Sequence, residues 1–152
     1  MYDYLNIMKD AGFRFLEHTA DVRVHSWGKS LENAFEQTAY GLMTTITPNL
    51  EIISLEIEKE MKIEAEDKEA LLFDFLSEFL FIFDVEELVF NEIKVQSIKA
   101  VEGRYELSAI LKGEVFNKNK HEIGTEVKAI TYSFLEINED KDKVEIKMVF
   151  DI

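Results

Sequence analysis

Residues 92–116 read EIKVQSIKAVEGRYELSAILKGEVF, and the fold class turns on this stretch. Two runs that alternate apolar and polar residues, 92–100 and 104–116, flank a turn carrying Gly103. Successive side chains of a strand point to opposite faces, so such alternation describes strands with one wet face. A tight turn at Gly103 joins neighbours running in opposite directions. Further along, 126–137 and 144–152 have the same character, separated by the polar turn Asn138-Glu139-Asp140-Lys141-Asp142. Upstream, 13–16 and 22–27 read as short strands around a polar turn, and 50–65 alternates apolar residues with Glu and Lys.

Two segments change period. After Ser30, whose hydroxyl suits an N-cap, Leu31, Ala34, Phe35, Thr38, Ala39, Leu42 and Met43 recur at helical spacing, and the pattern stops before Pro48. Asp67 can cap a second helix over 70–83, which is apolar around most of its circumference and so is expected to be buried on more than one side. Asp74 and Glu78, four apart on this helix, read as a solvated stripe rather than an acid–base pair. Hairpins combined with two helices predict an α+β, two-layer domain: a mainly antiparallel sheet with two helices packed on one face. The 152 residues show no break in composition, internal repeat or low-complexity linker, so 1–152 is expected to be a single domain.

Hydrophobic residues make up 47% of the chain and include twelve Phe, enough to bury a core without staples. There is no cysteine, which excludes disulfides, thiolate nucleophiles and sulfur-held metals; any metal must be bound by oxygen or imidazole. Seventeen basic residues against 31 acidic ones give a formal charge of −14. That field repels a phosphate backbone, so no direct nucleic-acid binding is expected; the charge either only maintains solubility or suits a basic protein partner. Lys112, Lys118, Lys120, His121 and Lys128 share one stretch, but Glu114, Glu122 and Glu126 are interspersed and argue against a basic cluster. The N-terminus lacks a basic segment followed by an apolar one, and no apolar run is long enough for a membrane span; a cytoplasmic location is expected.

Chemistry concentrates at three places. In 144–152 the alternation puts Val144, Ile146, Met148, Phe150 and Ile152 on one face and Glu145, Lys147, Val149 and Asp151 on the other. Asp151 then lies beside the chain's own terminal carboxylate, and two anionic groups that close repel unless a cation or a lysine intervenes. The end of the chain is therefore a candidate cation site if the tail is ordered, although chain ends ordinarily fray. His18 and Asp21, three apart in a turn, read either as half of a catalytic pair or as a turn-stabilising hydrogen bond, and no suitable serine nucleophile is evident. Lys128, in an otherwise apolar strand, is either a snorkelling surface lysine or a functional group. The glycines are scattered and form no phosphate-cradling loop.

The stretch Phe15-Leu16-Glu17-His18-Thr19-Ala20-Asp21-Val22, followed by Trp27-Gly28, Ser30-Leu31 and Ala34-Phe35, resembles the opening signature of the archease family. Gly113-Glu114, His121, Gly124-Thr125-Glu126 and Val127-Lys128-Ala129-Ile130-Thr131-Tyr132 resemble its later block, and the chain closes on Asp151-Ile152 as archeases do. Together with the helix containing Leu71-Leu72 and Glu78-Phe79-Leu80, the resemblance covers nearly the whole sequence in family order, leaving about 1–12 as an N-terminal extension.

The resemblance implies a non-catalytic protein cofactor for the RtcB-type RNA ligase, which joins a phosphate-ended RNA fragment to a hydroxyl-ended one using GTP and manganese. It implies promotion of guanylylation and multiple turnover in tRNA splicing and RNA repair, with a chaperone or specificity modulator of a tRNA methyltransferase as the alternative. It further implies a divalent cation at Asp21, Asp151 and Ile152, the last through carbonyl or terminal carboxylate oxygen, and functional roles for Lys128 and His18. Oxygen donors without sulfur suit calcium, the first expectation, or magnesium or manganese, better than zinc. Lys128 either holds the carboxylates together when the metal is absent or meets a phosphate on the ligase. An enzyme reading, a metal-dependent hydrolase with His18 as base, leaves few ligands to shape an open site.

Overall fold

The structure, a computed structural model, describes residues 10–16 and 20–152. In chain order these form β1 (Gly12–Leu16), β2 (Asp21–Gly28), α1 (Leu31–Ile46), a single 3-10 turn (Leu50–Ile52), β3 (Ile57–Ala65), α2 (Lys68–Glu86), β4 (Leu88–Val101), β5 (Arg104–Val115), β6 (Ala129–Asp140) and β7 (Lys143–Asp151). The class is α+β with antiparallel pairing throughout, as the hairpins predict. The strands expected in one sheet divide into two, ordered β1-β2-β7-β6 and β3-β5-β4. Each helix reaches both: α1 packs against β1, β2 and β7 and against β4, while α2 packs against β6 and against β3, β4 and β5. Alternation says that a strand has one wet face; it does not say which strands share a ladder.

The topology contains a duplication that the sequence does not display. β2-α1-β6-β7 and β3-α2-β4-β5 are each a strand, a helix and a hairpin, and in each the last strand lies in the middle, giving β2-β7-β6 and β3-β5-β4. The second unit is inserted into the first, between α1 and β6.

Both helices begin where their caps predict. Ser30 Oγ accepts from the Asn33 N–H at 3.1 Å, and Asp67 Oδ1 accepts from the Ala70 N–H at 2.7 Å. α2 buries Leu71, Leu72, Phe75, Leu76, Phe79 and Ile82 and leaves Asp74 exposed. The rings of Phe35 and Phe75, Phe75 and Phe79, and Phe79 and Phe90 lie 5.9, 5.1 and 6.0 Å apart, so one aromatic chain runs from α1 through α2 to β4. Burying each ring contributes about 3–5 kcal/mol relative to alanine, so this chain is a main source of stability. Among the described residues no helix is long and apolar enough to cross a membrane.

Two expected strands start late. In 50–65 the ladder begins only at Ile57, opposite Gly113, with the Glu56 N–H donating to the Gly113 carbonyl, while 50–52 turn as a 3-10 helix rather than extending. Ile53 is buried instead, and the Ser54 N–H donates to the Glu114 carboxylate. In 126–137 the ladder begins at Ala129, with the Lys128 N–H already reaching β7 and the amides of Gly124 and Thr125 bonded to the end of α1.

β5 passes close against β4 at Gly113, where an added Cβ would lie 1.8 Å from the Val89 carbonyl oxygen. We expect Gly113→Ala to lower stability by about 3 kcal/mol through backbone displacement. Urea denaturation checks this: an unchanged midpoint would mean that the backbone has room to move.

Candidate functional site

β7 is hydrogen-bonded on both sides, to β2 and to β6. At its end Asp151 faces Asp21 across one ladder and Ala129 across the other. Directly opposed residues share a face, with Cβ atoms roughly 4.5–5.5 Å apart, so Asp21 and Asp151 present their carboxylates side by side. The Lys128 N–H donates to the Asp151 carbonyl at 2.7 Å, extending the β6 side by one residue. The backbone at Asp151 is therefore tied into the sheet on both sides, and Ile152 follows directly.

The structure thus brings together Asp21, Asp151, Ile152 and the backbone of Lys128, while His18 lies outside the described residues. Asp21 is half-buried, and its Oδ1 is sealed from solvent, whereas the side chains of Asp151 and Lys128 are exposed. Among the described residues neither the Lys128 ammonium nor the Asp151 carboxylate has an ion-pair partner. Nor do three His, Cys, Asp or Glu side chains cluster as a metal cage among them. Arg23 is on the next rung of the same face, with its guanidinium 5.1 Å from the centre of the Phe134 ring. Beside Asp21 opens a cavity of about 270 Å³, lined by Arg23, Thr44, Thr45, Gly124 and Thr125 among others.

One wall of that cavity is the strap between β5 and β6, fixed at two points. The amides of Gly124 and Thr125 donate to the carbonyls of Ile46 and Thr45 at 2.9 and 2.8 Å, satisfying carbonyls that the end of α1 leaves without helical partners. Only glycine fits here, since a Cβ at Gly124 would lie 2.2 Å from the Thr45 oxygen. Nearer β5, the buried Glu114 carboxylate accepts from Lys120 Nζ at 2.7 Å, from His121 Nε2 at 2.9 Å and from the Ser54 N–H at 2.9 Å. His121 Nδ1 accepts from the Asn117 N–H at 2.8 Å, which leaves Nε2 as the donor to Glu114. Burial by itself would raise the Glu114 carboxyl, but Lys120, the Ser54 amide and His121 outweigh it and hold it down at about 2. Residue spacing showed Glu114, Lys120 and His121 only as interspersed charges, because a buried polar knot has no periodic signature; the family block singled out Glu114 and His121 without saying that they meet.

A family model described as Archease protein family (MTH1598/TM1083) matches residues 13–152. The chain belongs to the archease family. Protein archease of Danio rerio is 43% identical over 141 residues, covering 92% of this chain and 85% of its own length. Protein archease of Methanosarcina mazei is 36% identical over 140 residues, covering 92% and 95%. The solution structure of Methanobacterium thermoautotrophicum protein 1598 matches with a TM-score of 0.79 at 29% identity, over 93% of this chain and 99% of that one. The crystal structure of a Thermotoga maritima archease, described as a possible chaperone, matches at 0.57 and 28% identity, over 90% and 94%. The archease fold is therefore shared along nearly the whole described chain, including both strands that carry the acidic rung.

The Glu114 knot makes acid stability of this archease-family chain testable. Because the folded carboxyl titrates below its ordinary 4.5, its contribution is fully present above that value and is lost as pH falls towards about 2. Glu114→Gln is expected to cost about 1–3 kcal/mol at pH 7 and much less at pH 3. Urea midpoints at the two pH values check this; equal losses would show that the charge is not what the knot uses.

Proposed function

We propose that the chain is a non-catalytic protein cofactor of an RtcB-type RNA ligase, promoting its guanylylation and its repeated turnover in tRNA splicing and RNA repair. Family membership supports this reading, and the observation that carries it is the pairing of Asp21 with Asp151 beside the Lys128 backbone, the Lys128 ammonium having no ion-pair partner among the described residues. In this reading Asp21, Asp151 and a main-chain or terminal oxygen of Ile152 hold a divalent cation, calcium first, with magnesium or manganese as alternatives. The residues fit such an ion: the donors are all oxygen, the two carboxylates share one face, and one oxygen of Asp21 is sheltered from water. With only two side-chain carboxylates, the remaining positions fall to main chain and water, which the loose geometry of calcium tolerates better than the octahedron of magnesium. When bound, the ion supplies positive charge that draws the two carboxylates together.

Among the described residues Lys128 has no ion-pair partner, and in this reading its ammonium meets a phosphate on the ligase side rather than holding the acidic pair. The formal charge of −14 steers the protein towards basic surfaces, such as those an RNA-handling enzyme presents, and away from free RNA. On this reading the protein works in the cytoplasm. A second reading, a chaperone or specificity modulator of a tRNA methyltransferase, is favoured by the description of the Thermotoga maritima relative as a possible chaperone. It requires a stable complex with that enzyme that is indifferent to Asp21 and Asp151.

Asp21→Asn, Asp151→Asn and Lys128→Ala are each expected to cut ligase stimulation at least roughly tenfold, a loss of about 1.4 kcal/mol or more, while leaving the far-ultraviolet circular dichroism unchanged. Multiple-turnover ligation with purified ligase decides the matter, and full stimulation by the folded variants would refute the proposal. Calcium is expected to raise the melting temperature of the wild type by binding only the folded state. Asp151→Asn and removal of Ile152 should both weaken that rise.

A further inference from the structure

The strap that walls the cavity beside Asp21 has a second side. There, Ile46 at the end of α1, Leu80 and Phe83 on α2, Phe116, Ile123 and Val127 line an apolar groove of about 360 Å³. Ile123 is 74% exposed, so the groove leaves a large aliphatic side chain in water at its mouth. The rim carries Asp84, Glu126 and Lys118, and among the described residues none of the three has an ion-pair partner. Ion pairs do form at other places on the surface, as between Lys59 and Glu86, Lys68 and Glu139, and Lys143 and Glu145. The groove and the cavity share Gly124 and Thr125, and Val127 in the groove directly precedes Lys128, whose N–H holds the Asp151 carbonyl.

We propose that this groove is the docking seat for the ligase, taking an apolar side chain from an exposed segment of that enzyme, flanked by a basic residue that pairs with Asp84 or Glu126. This rests on the ligase-cofactor reading above. The apolar lining selects an aliphatic or aromatic anchor, which is how protein interfaces concentrate their binding energy. Two unpaired carboxylates against one ammonium, on a chain of charge −14, select a basic flank. A second copy of this chain fits poorly, because a two-fold contact would set the same acidic rim against itself. Docking here seats the partner against the strap, one residue from Lys128, so the anchor and the acidic edge address the same neighbourhood of the ligase.

The test is a titration of multiple-turnover ligation with increasing amounts of the protein. Ile123→Asp, and separately the double variant Asp84→Lys with Glu126→Lys, are expected to raise the half-saturating concentration at least tenfold, with the maximum recovered at saturation. Asp151→Asn is expected to do the opposite, lowering the maximum with little change in half-saturation. Groove variants that titrate like the wild type while Asp151→Asn loses stimulation would overturn the groove and leave the ligase reading intact. Absence of any stimulation by the wild type would overturn both. Sedimentation supplies the remaining arm: if Ile123→Asp converts a dimer into a monomer, the groove is an interface between copies and the proposal fails. All these positions are exposed, and unchanged melting temperatures of both variants confirm that docking rather than folding is read.

Discussion

A strand at the edge of a sheet is usually a weak place to build anything, because its residues have hydrogen-bonded neighbours on one side only. β7 escapes this by lying in the middle of the four-stranded sheet, bonded to β2 along one edge and to β6 along the other. Its inner face, with Ile146, Met148 and Phe150 all fully buried, anchors the strand in the core. Register then does the rest: with Phe150 fixed inward opposite Val22, Asp151 falls opposite Asp21 on the outer face. A slip of one residue would turn Asp151 inward, so the hydrophobic pattern of the strand guards the geometry of its acidic end.

The strap between β5 and β6 depends on a different kind of interaction. It has little regular structure, yet it is tied at one end to the open carbonyls of α1 and at the other to the Glu114 knot. Each tie satisfies polar groups that would otherwise be buried without partners, and Phe116 and Val127 of the strap pack against the core beside them. Its two faces line the cavity beside Asp21 and the apolar groove, which makes it the physical link between the acidic edge and the proposed docking seat.

On the outer face of the three-stranded sheet, Lys112 stands 3.9 Å from both Glu58 and Glu92, an arrangement of a solvated face whose groups screen one another. Around the acidic edge and the groove, Lys128, Asp151, Asp84 and Glu126 stand without ion-pair partners among the described residues, as Lys62 and Lys94 do on the three-stranded sheet. Unpaired groups keep their field available to a partner, and this is the side of the molecule where family membership and geometry both direct attention.

By itself the sequence determined what depends on near neighbours. The two helices and their Ser30 and Asp67 caps, the hairpin at Gly103, the exposed Asp74 and the two faces of 144–152 all follow from periods of 3.6 or 2 and from short-range hydrogen bonding. The family blocks likewise pointed to Asp21, Asp151 and Lys128 one by one. Only the tertiary structure decided how the strands divide into two sheets, that one helical hairpin unit is inserted into another, that β7 sits centrally, and that Glu114 closes on Lys120, His121 and Ser54. Those outcomes depend on which distant segments meet. Alternation gives every strand the same inward and outward faces whatever its neighbour, so pairing and register are settled only when all the apolar faces compete for one core.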